Sequence, residues 1–294
     1  MNKNELLKSK NFLSYLTIRW FNTLAIQTIT LTVGWQIYEL TRNPLDLGLI
    51  GLAQFIPIFI FILPSGVVAD KFDRKIVIAI CNIIHLAVCF FLLFYSLSGP
   101  TSIVPILLVL LIHGTARAMY QPSLSAILPN IVEKKLFPNA TAYNSSVSKL
   151  GHLIGPLIAG IIISLFNIWV YLFAIVCFSI STIATFFLNN PKNPDNLKAI
   201  SFATVVSGFV YVWKTKLVLG TMTIDLFAVL FGGIMGMLPV FAIDILKIGP
   251  EGLGLLRSMP AVGGVLTGII LTQIPPVKNA GKYLIISTTV FGFS

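Results

Sequence analysis

"GVVADKFDRK", residues 66 to 75, places five charged side chains, Asp70, Lys71, Asp73, Arg74 and Lys75, in six consecutive positions. The 294-residue chain around it is 10% charged and 56% hydrophobic, with a mean hydropathy of +0.92. Soluble domains carry roughly a quarter charged residues, so this composition belongs to a membrane protein and the cluster marks a turn in water between two apolar segments.

Working outward from that turn, apolar runs fall near 13–38, 45–69, 75–97, 102–128, 139–165, 167–189, 217–244 and 252–274. Each is long enough to cross a hydrocarbon core, which takes roughly 20 helical residues. A segment in lipid must satisfy its own backbone hydrogen bonds, and the ~10-residue alternating segments of a membrane barrel are not present. The expected fold class is therefore an all-α integral membrane protein. A ninth run begins near 282 and has only about a dozen residues before Ser294, so the chain reads as the N-terminal part of a longer protein. The first apolar run is too long for a signal peptide core and lacks a small-residue cleavage site, which makes it a first transmembrane helix.

With the N-terminus inside, fourteen of the twenty Lys and Arg residues fall in cytoplasmic segments. Arg42 and Lys247 fall outside, and Arg19, Arg117, Lys149 and Arg257 lie in spans. This bias predicts a multi-pass protein of the inner (plasma) membrane with a cytoplasmic N-terminus. The net charge of +10 is then topological, and no nucleic-acid partner is expected. Cys81, Cys89 and Cys177 all fall in spans without metal-ligand spacing, so they read as packing residues, with no disulfide framework and no metal site. No phosphate-binding Gly-x-x-x-x-Gly-Lys loop or nucleophile elbow occurs, so neither an enzyme nor a cofactor is expected.

The one substantial polar linker, "NNPKNPDNLK" from Asn189 to Lys198, has the prolines and Asn/Asp residues of a loop. It divides the chain into a six-helix half (1–189), a cytoplasmic linker (190–216) and the start of a second transmembrane half (217–294). Phe202, Val205, Val206, Phe209, Val210 and Trp213 recur at helical spacing between lysines, as in an amphipathic helix lying on the membrane surface.

The opening stretch resembles the signature loop of the major facilitator superfamily, G-x-L-A-D-R-x-G-R-K-x-x-L. Gly66, Ala69, Asp70, Arg74 and Lys75 match it, with Val68 for Leu, Lys71 for Arg, Asp73 for Gly and Ile78 for the last Leu. The "D-x-F-D-R-K" form is similar to the branch that contains the enterobactin exporter. So are "VGWQIYELTRNPLDLGLIGL" from 33, "GTARAMYQPSLSAILP" from 114, "DLFAVLFGGIMGMLPVFA" from 225 and "LGLLRSMPAVGGVLTG" from 253. The resemblance implies two halves rocking about a midplane site. It also implies a cytoplasmic gating loop of Gly66, Asp70, Lys71, Arg74 and Lys75, in which Asp70 is the latch acid and Arg74 its organiser. Charge that merely enforces orientation is the alternative for the basic residues.

Ionisable residues inside a membrane are functional candidates by default. His113, Arg117, Gln121 and Ser125 recur every four residues in the fourth span, and Arg19, Thr23, Gln27 and Thr30 make a rough stripe in the first. Lys149 and His152 lie about one turn apart in the fifth. First, fourth and fifth helices contribute to the central cavity in the family, so Arg19, Gln27, His113, Arg117, Gln121, Lys149 and His152 are expected to line it. Within these three spans the only acid is Glu39, so the cavity favours an anionic or acid-bearing substrate. Snorkelling of Lys149, carbonyl pairing of Arg117 and plain packing of the histidines are the structural alternatives. Asp225, in the seventh span, is with His113 and His152 a candidate for proton coupling, or else a partner of Arg257. Gly151, Gly155, Pro156 and Gly160 give the fifth helix a small face, and Gly232, Gly233 and Gly236 do the same in the seventh.

The expected function is a secondary active transporter, a proton-coupled exporter of an anionic or amphiphilic small molecule such as a siderophore. A drug or lysophospholipid carrier of the same fold, a non-transporting sensor or scaffold, and a truncated product are the alternatives. Expected partners are the small-molecule substrate, protons and membrane lipid, with a monomer of the full-length chain.

Overall fold

In the computed structural model, residues 6–189, 210–231, 233–273 and 280–293 are described, and all the elements they form are helical. Helix α1 (Lys10–Thr41) begins where the Ser9 hydroxyl accepts the Phe12 N–H, and it ends at Arg42 in the left-handed region, φ 51°. The turn into α2 (Pro44–Lys71) is two residues long: Asn43 accepts the Leu45 N–H, and Pro44 supplies a φ already suited to a first turn. A second two-residue turn leads into α3 (Arg74–Leu97). Here the Asp73 carboxylate accepts the Lys75 N–H at 2.9 Å. Asp73 stands where the family loop has Gly, and it replaces that residue's flexibility with a helix cap.

Helices α4 (Val104–Ile131), α5 (Phe137–Phe166) and α6 (Val170–Phe186) complete a six-helix group. Then follow α7 (Lys216–Phe231), α8 (Ile234–Val240), α9 (Gly249–Gln273) and α10 (Ala280–Phe293). The expected spans thus recur as helices within a few residues of their predicted ends, with one correction. The seventh, expected as one run over 217–244, is interrupted by a turn at Gly233, resumes as α8 and finishes in a turn of π-helix over Phe241–Ile245. Pro239 lies inside α8 and has no N–H to give to the helix ladder. Residues 190–209, which hold most of the linker and of the expected amphipathic helix, lie outside the described residues; Val210 and Trp213 belong to a short exposed helical stretch.

Four stretches combine the length and hydropathy of membrane spans: 44–62, 74–97, 104–131 and 134–186, the last containing α5 and α6. Their outward faces expose apolar side chains such as Phe55, Phe59, Phe94, Leu108, Leu165 and Phe186, the surface that lipid covers. Helix α1 is long enough, about 48 Å at 1.5 Å per residue, but more polar. It compensates in two ways. It is packed against α5 and α6, and its threonines return their hydroxyls to their own helix, as Thr28 does to Leu24 O (2.9 Å) and Thr32 to Thr28 O (2.7 Å).

Glycine sets how close the helices come. A Cβ on Gly151 or Gly155 would lie 2.8 Å from Thr23 or Gln27 of α1, and one on Gly114 would lie 2.8 Å from Gln54 O of α2. The tightest crossing joins α5 to α9: a Cβ on Gly160 would be 2.5 Å from Pro250 O, and one on Gly254 2.5 Å from Pro156 O. Ser258 closes this contact by donating to Leu153 O at 2.8 Å. The small face expected on α5 is therefore divided: Gly151 and Gly155 meet α1, while Pro156 and Gly160 meet α9 on another side of the helix. The same expectation for Gly236 is corrected, since a Cβ there would meet open space. A third apolar cluster, with Leu31, Ala159, Ile163, Leu238, Ala242 and Leu253, runs along this seam between α1–α6 and α8–α9.

Candidate functional site

The seam leaves a cavity of about 490 Å³ whose lining includes Gln27 of α1, Ser148, Lys149 and His152 of α5, and Met235 and Arg257 of α8 and α9. Its size suits a small molecule, for which pockets run roughly 300–1,000 Å³. Gln27, Lys149 and His152 thus share one cavity. Arg19 and Gln121 join it from behind: Arg19 donates to Gln121 Oε1 at 2.7 Å and to the lining Ser148 hydroxyl at 3.1 Å. His152 Nδ1 lies 2.8 Å from Ser148 O, so Ser148 connects Arg19 to the imidazole. No carboxylate lines the cavity among the described residues.

Arg117 and His113 part company. Arg117, Gln121 and Ser125 are half-buried or exposed, whereas His113 is fully buried inside the six-helix group. Its ring lies 4.5 Å from that of His85 on α3, which in turn stacks on Phe178 of α6 at 5.0 Å. None of the four nitrogens of the two imidazoles has a hydrogen-bond partner. The polar stripe expected on α4 therefore divides, because a four-residue step advances a helix by 400° and drifts about 40° each time. Asp225 lies on the exposed surface of α7 and forms no ion pair with Arg257.

In the loop between α2 and α3, Arg74 is 6% exposed. Its Nε donates to Ala69 O at 3.0 Å, Nη1 donates to Ala126 O of α4 at 2.8 Å, and Nη2 lies 3.8 Å from Asp70 Oδ1. Lys75 Nζ donates to Phe186 O at the end of α6, 2.8 Å away. These basic side chains fasten α2, α3, α4 and α6 to one another, while Lys71 stands exposed and Gly66 half-buried one turn above Asp70.

Sequence reading missed three groups. Asn22 donates to Asn82 Oδ1 and Asn82 to the Ser181 hydroxyl, each at 3.0 Å, which links α1, α3 and α6 through a buried network. Gln36 of α1 donates to the Ser96 hydroxyl of α3 and accepts from the Tyr171 hydroxyl of α6, each at 2.7 Å, in a part-buried network. The third group lies at the end of α2 remote from the charged loop. Asp244, carried on the π-turn, takes the Tyr38 hydroxyl on Oδ2 and Arg42 Nη1 on Oδ1 at 3.0 Å. This clasp ties α1 to the later helices. A signal existed only for its parts, an acid and an arginine each at the end of an apolar run. Among the described residues no three His, Cys, Asp or Glu side chains gather in a way that could hold a metal ion.

Comparison with known proteins places this architecture. The sequence pattern of the family described as "Transmembrane secretion effector" matches residues 9–293. The Staphyloferrin A transporter of Staphylococcus aureus is 22% identical over 97% of this chain and 71% of its own length. The enterobactin exporter EntS of Salmonella choleraesuis is 21% identical over 94% of this chain and 67% of its own length. Among solved structures, a bacterial homologue of the human lysosomal transporter Spinster, in an inward-facing and unoccupied conformation, superposes with a TM-score of 0.68 at 17% identity. That likeness covers 91% of this chain and 64% of the Spinster homologue. The chain thus spans about two thirds of the length of the proteins it matches.

Proposed function

The chain belongs to the transmembrane secretion effector family of the major facilitator superfamily, and on that premise we propose that it is a proton-driven exporter of an anionic small molecule, with a siderophore as the leading class. Residues 1–189 form the first half, 190–216 the linker, and 217–294 belong to the second half, and the charged loop faces the cytoplasm. The substrate sits at the seam and is handed across by rocking of the halves.

The observation that carries this reading is the sign of the cavity. Lys149, His152 and Arg257 line it, Arg19 stands behind it, and no lining residue among those described is acidic. Cations placed around a partly desolvated space attract a counter-ion far more strongly than they would in water. The names of the two relatives, one a staphyloferrin transporter and one an enterobactin exporter, support the same substrate class. For the proton path, His152 is the leading coupling candidate because it lines the cavity, with Asp225 and His113 as the others. In the charged loop, Asp70 acts as latch acid and Arg74 holds it in position.

The test is efflux of a labelled catecholate siderophore from cells expressing the protein or its Arg257→Gln variant, with membrane insertion checked in parallel. Wild-type efflux that the variant loses at equal insertion supports the reading. Equal efflux from both, or efflux only of neutral and cationic drugs, overturns it.

A further inference from the structure

The end of the six-helix group remote from the charged loop holds a second cavity, of about 300 Å³, whose lining lies wholly between Thr32 and Ile168. Trp35, Gln36 and Glu39 come from α1, Ser96 from α3 and Ile163 from α5, and the chain connections that follow α3 and α5 close it. Each connection has a lining residue with positive φ, Gly99 at 72° and Asn167 at 52°. Glycine takes such a geometry freely and asparagine more readily than most side chains, so both turns bend back over the helix ends.

The two cavities differ in sign. Lys149, His152 and Arg257 line the one at the seam, whereas Glu39 is the sole ionisable residue among those lining the other. Glu39 is exposed and has no hydrogen bond or ion pair among the described residues. Arg42, three positions on, is committed to Asp244 instead. The walls beside the carboxylate are apolar: Leu40, Pro100, Ile163 and Ile168. Trp35 is half-buried against the apolar cluster of Leu31, Ala159 and Ile163, which holds its ring in place. Gln36 is fixed by its bonds to Ser96 and Tyr171.

We propose that this cavity binds a small organic cation, an ammonium group on an apolar or aromatic body. Glu39 is the counter-ion, Trp35 offers the ring to which an alkylammonium is drawn, and the apolar walls take the body. The volume lies at the lower end of the range for small-molecule pockets, so the ligand is about the size of a single substituted ring. A phospholipid headgroup carries the same ammonium but adds a phosphate. No Lys, Arg or His among the described residues lines the cavity to receive that phosphate, so a free cation is the better fit. Every lining residue belongs to the first six helices or their connections, so the site is complete without the later helices. The proposal does not depend on the anion-exporter reading.

The experiment uses the purified protein in a non-ionic detergent, with benzyltrimethylammonium as the cation, benzyl alcohol as the neutral probe and phenylacetate as the anion. Thermal stabilisation is one readout. The other is protection of Glu39 from carbodiimide coupling to glycine ethyl ester, mapped by mass spectrometry. Benzyltrimethylammonium is expected to stabilise the protein and to slow modification of Glu39, and the other two probes to do neither at the same concentration. Glu39→Gln is expected to weaken its apparent affinity about fivefold, the size of effect an exposed ion pair supplies. The protection readout needs no substitution, so it remains decisive where the variant fails to fold. Equal responses to the cation and the alcohol, stabilisation without protection of Glu39, or no response to the cation overturns the site. Stronger protection by glycerophosphocholine than by benzyltrimethylammonium would assign the cavity to a lipid headgroup and overturn the free-cation proposal.

Discussion

The two ends of α2 manage charge in opposite ways. At the α2–α3 loop, charge is dense and locally committed: Arg74 bonds to Ala69 and Ala126 and pairs with Asp70, and Lys75 bonds to Phe186. All of these partners lie within the first six helices. At the other end charge is sparse, yet Arg42 and Tyr38 reach across 202 and 206 positions of sequence to Asp244 on the later helices. The dense cluster therefore stiffens the six-helix group, while the sparse one joins that group to the later helices. In the rocking cycle proposed above, contacts of the first kind would define the rigid body, and contacts of the second kind would have to break when the halves part.

The sharpest way to break the comparison is Arg74→Ala. It strips two part-buried carbonyls of their donor and leaves Asp70 without its guanidinium, so a loss of about 2–4 kcal/mol is expected. A fall in thermal unfolding temperature, with Arg74→Lys recovering part of it, is the readout. Next in size is Gly160→Leu, which forces α5 off the α9 backbone, 2.5 Å from where its Cβ would lie. Overpacking of this kind costs about 1–3 kcal/mol, and it should also change transport rate, because the crossing lies on the seam.

Asp244→Asn should cost less in stability, about 0.5–1 kcal/mol, because its pair with Arg42 is 56% and 44% exposed. Its larger effect should be on access. A cysteine placed at Gln36, which lines the pocket at this end, should be alkylated faster in the Asp244→Asn background than in the parent. An unchanged rate would show that the clasp does not hold that end shut. The smallest expected effect is Lys247→Gly beside the clasp. Lys247 has φ 53°, and glycine adopts that geometry without a Cβ clash, so a change within about 1 kcal/mol is expected on thermal unfolding.

Most of the fold was legible because lipid imposes a simple code: an apolar run of sufficient length becomes a helix. The glycines of α5 were legible as points of close approach but not as one face: Gly151 and Gly155 lie a turn apart and meet α1, whereas Gly160 lies about 140° further round and meets α9. The interruption at Gly233 was not, because a glycine and a proline are compatible with a continuous membrane helix until tertiary packing selects otherwise. For the cavity, Gln27, Lys149 and His152 were found by residue type and helix membership. His113 was misplaced because a four-residue period drifts around a real helix. Arg257 and Asp244 escaped because their significance depends on what they face across the seam, and pairings separated by 200 positions leave no local trace in one sequence.

The most direct test of a proton-driven anion exporter is transport in proteoliposomes holding the purified protein, with a labelled catecholate siderophore and an imposed proton gradient. Siderophore movement that follows the gradient and collapses when an uncoupler is added is the predicted result. Movement at the same rate with and without the gradient, or no movement of the siderophore in vesicles that carry a neutral drug, would contradict it.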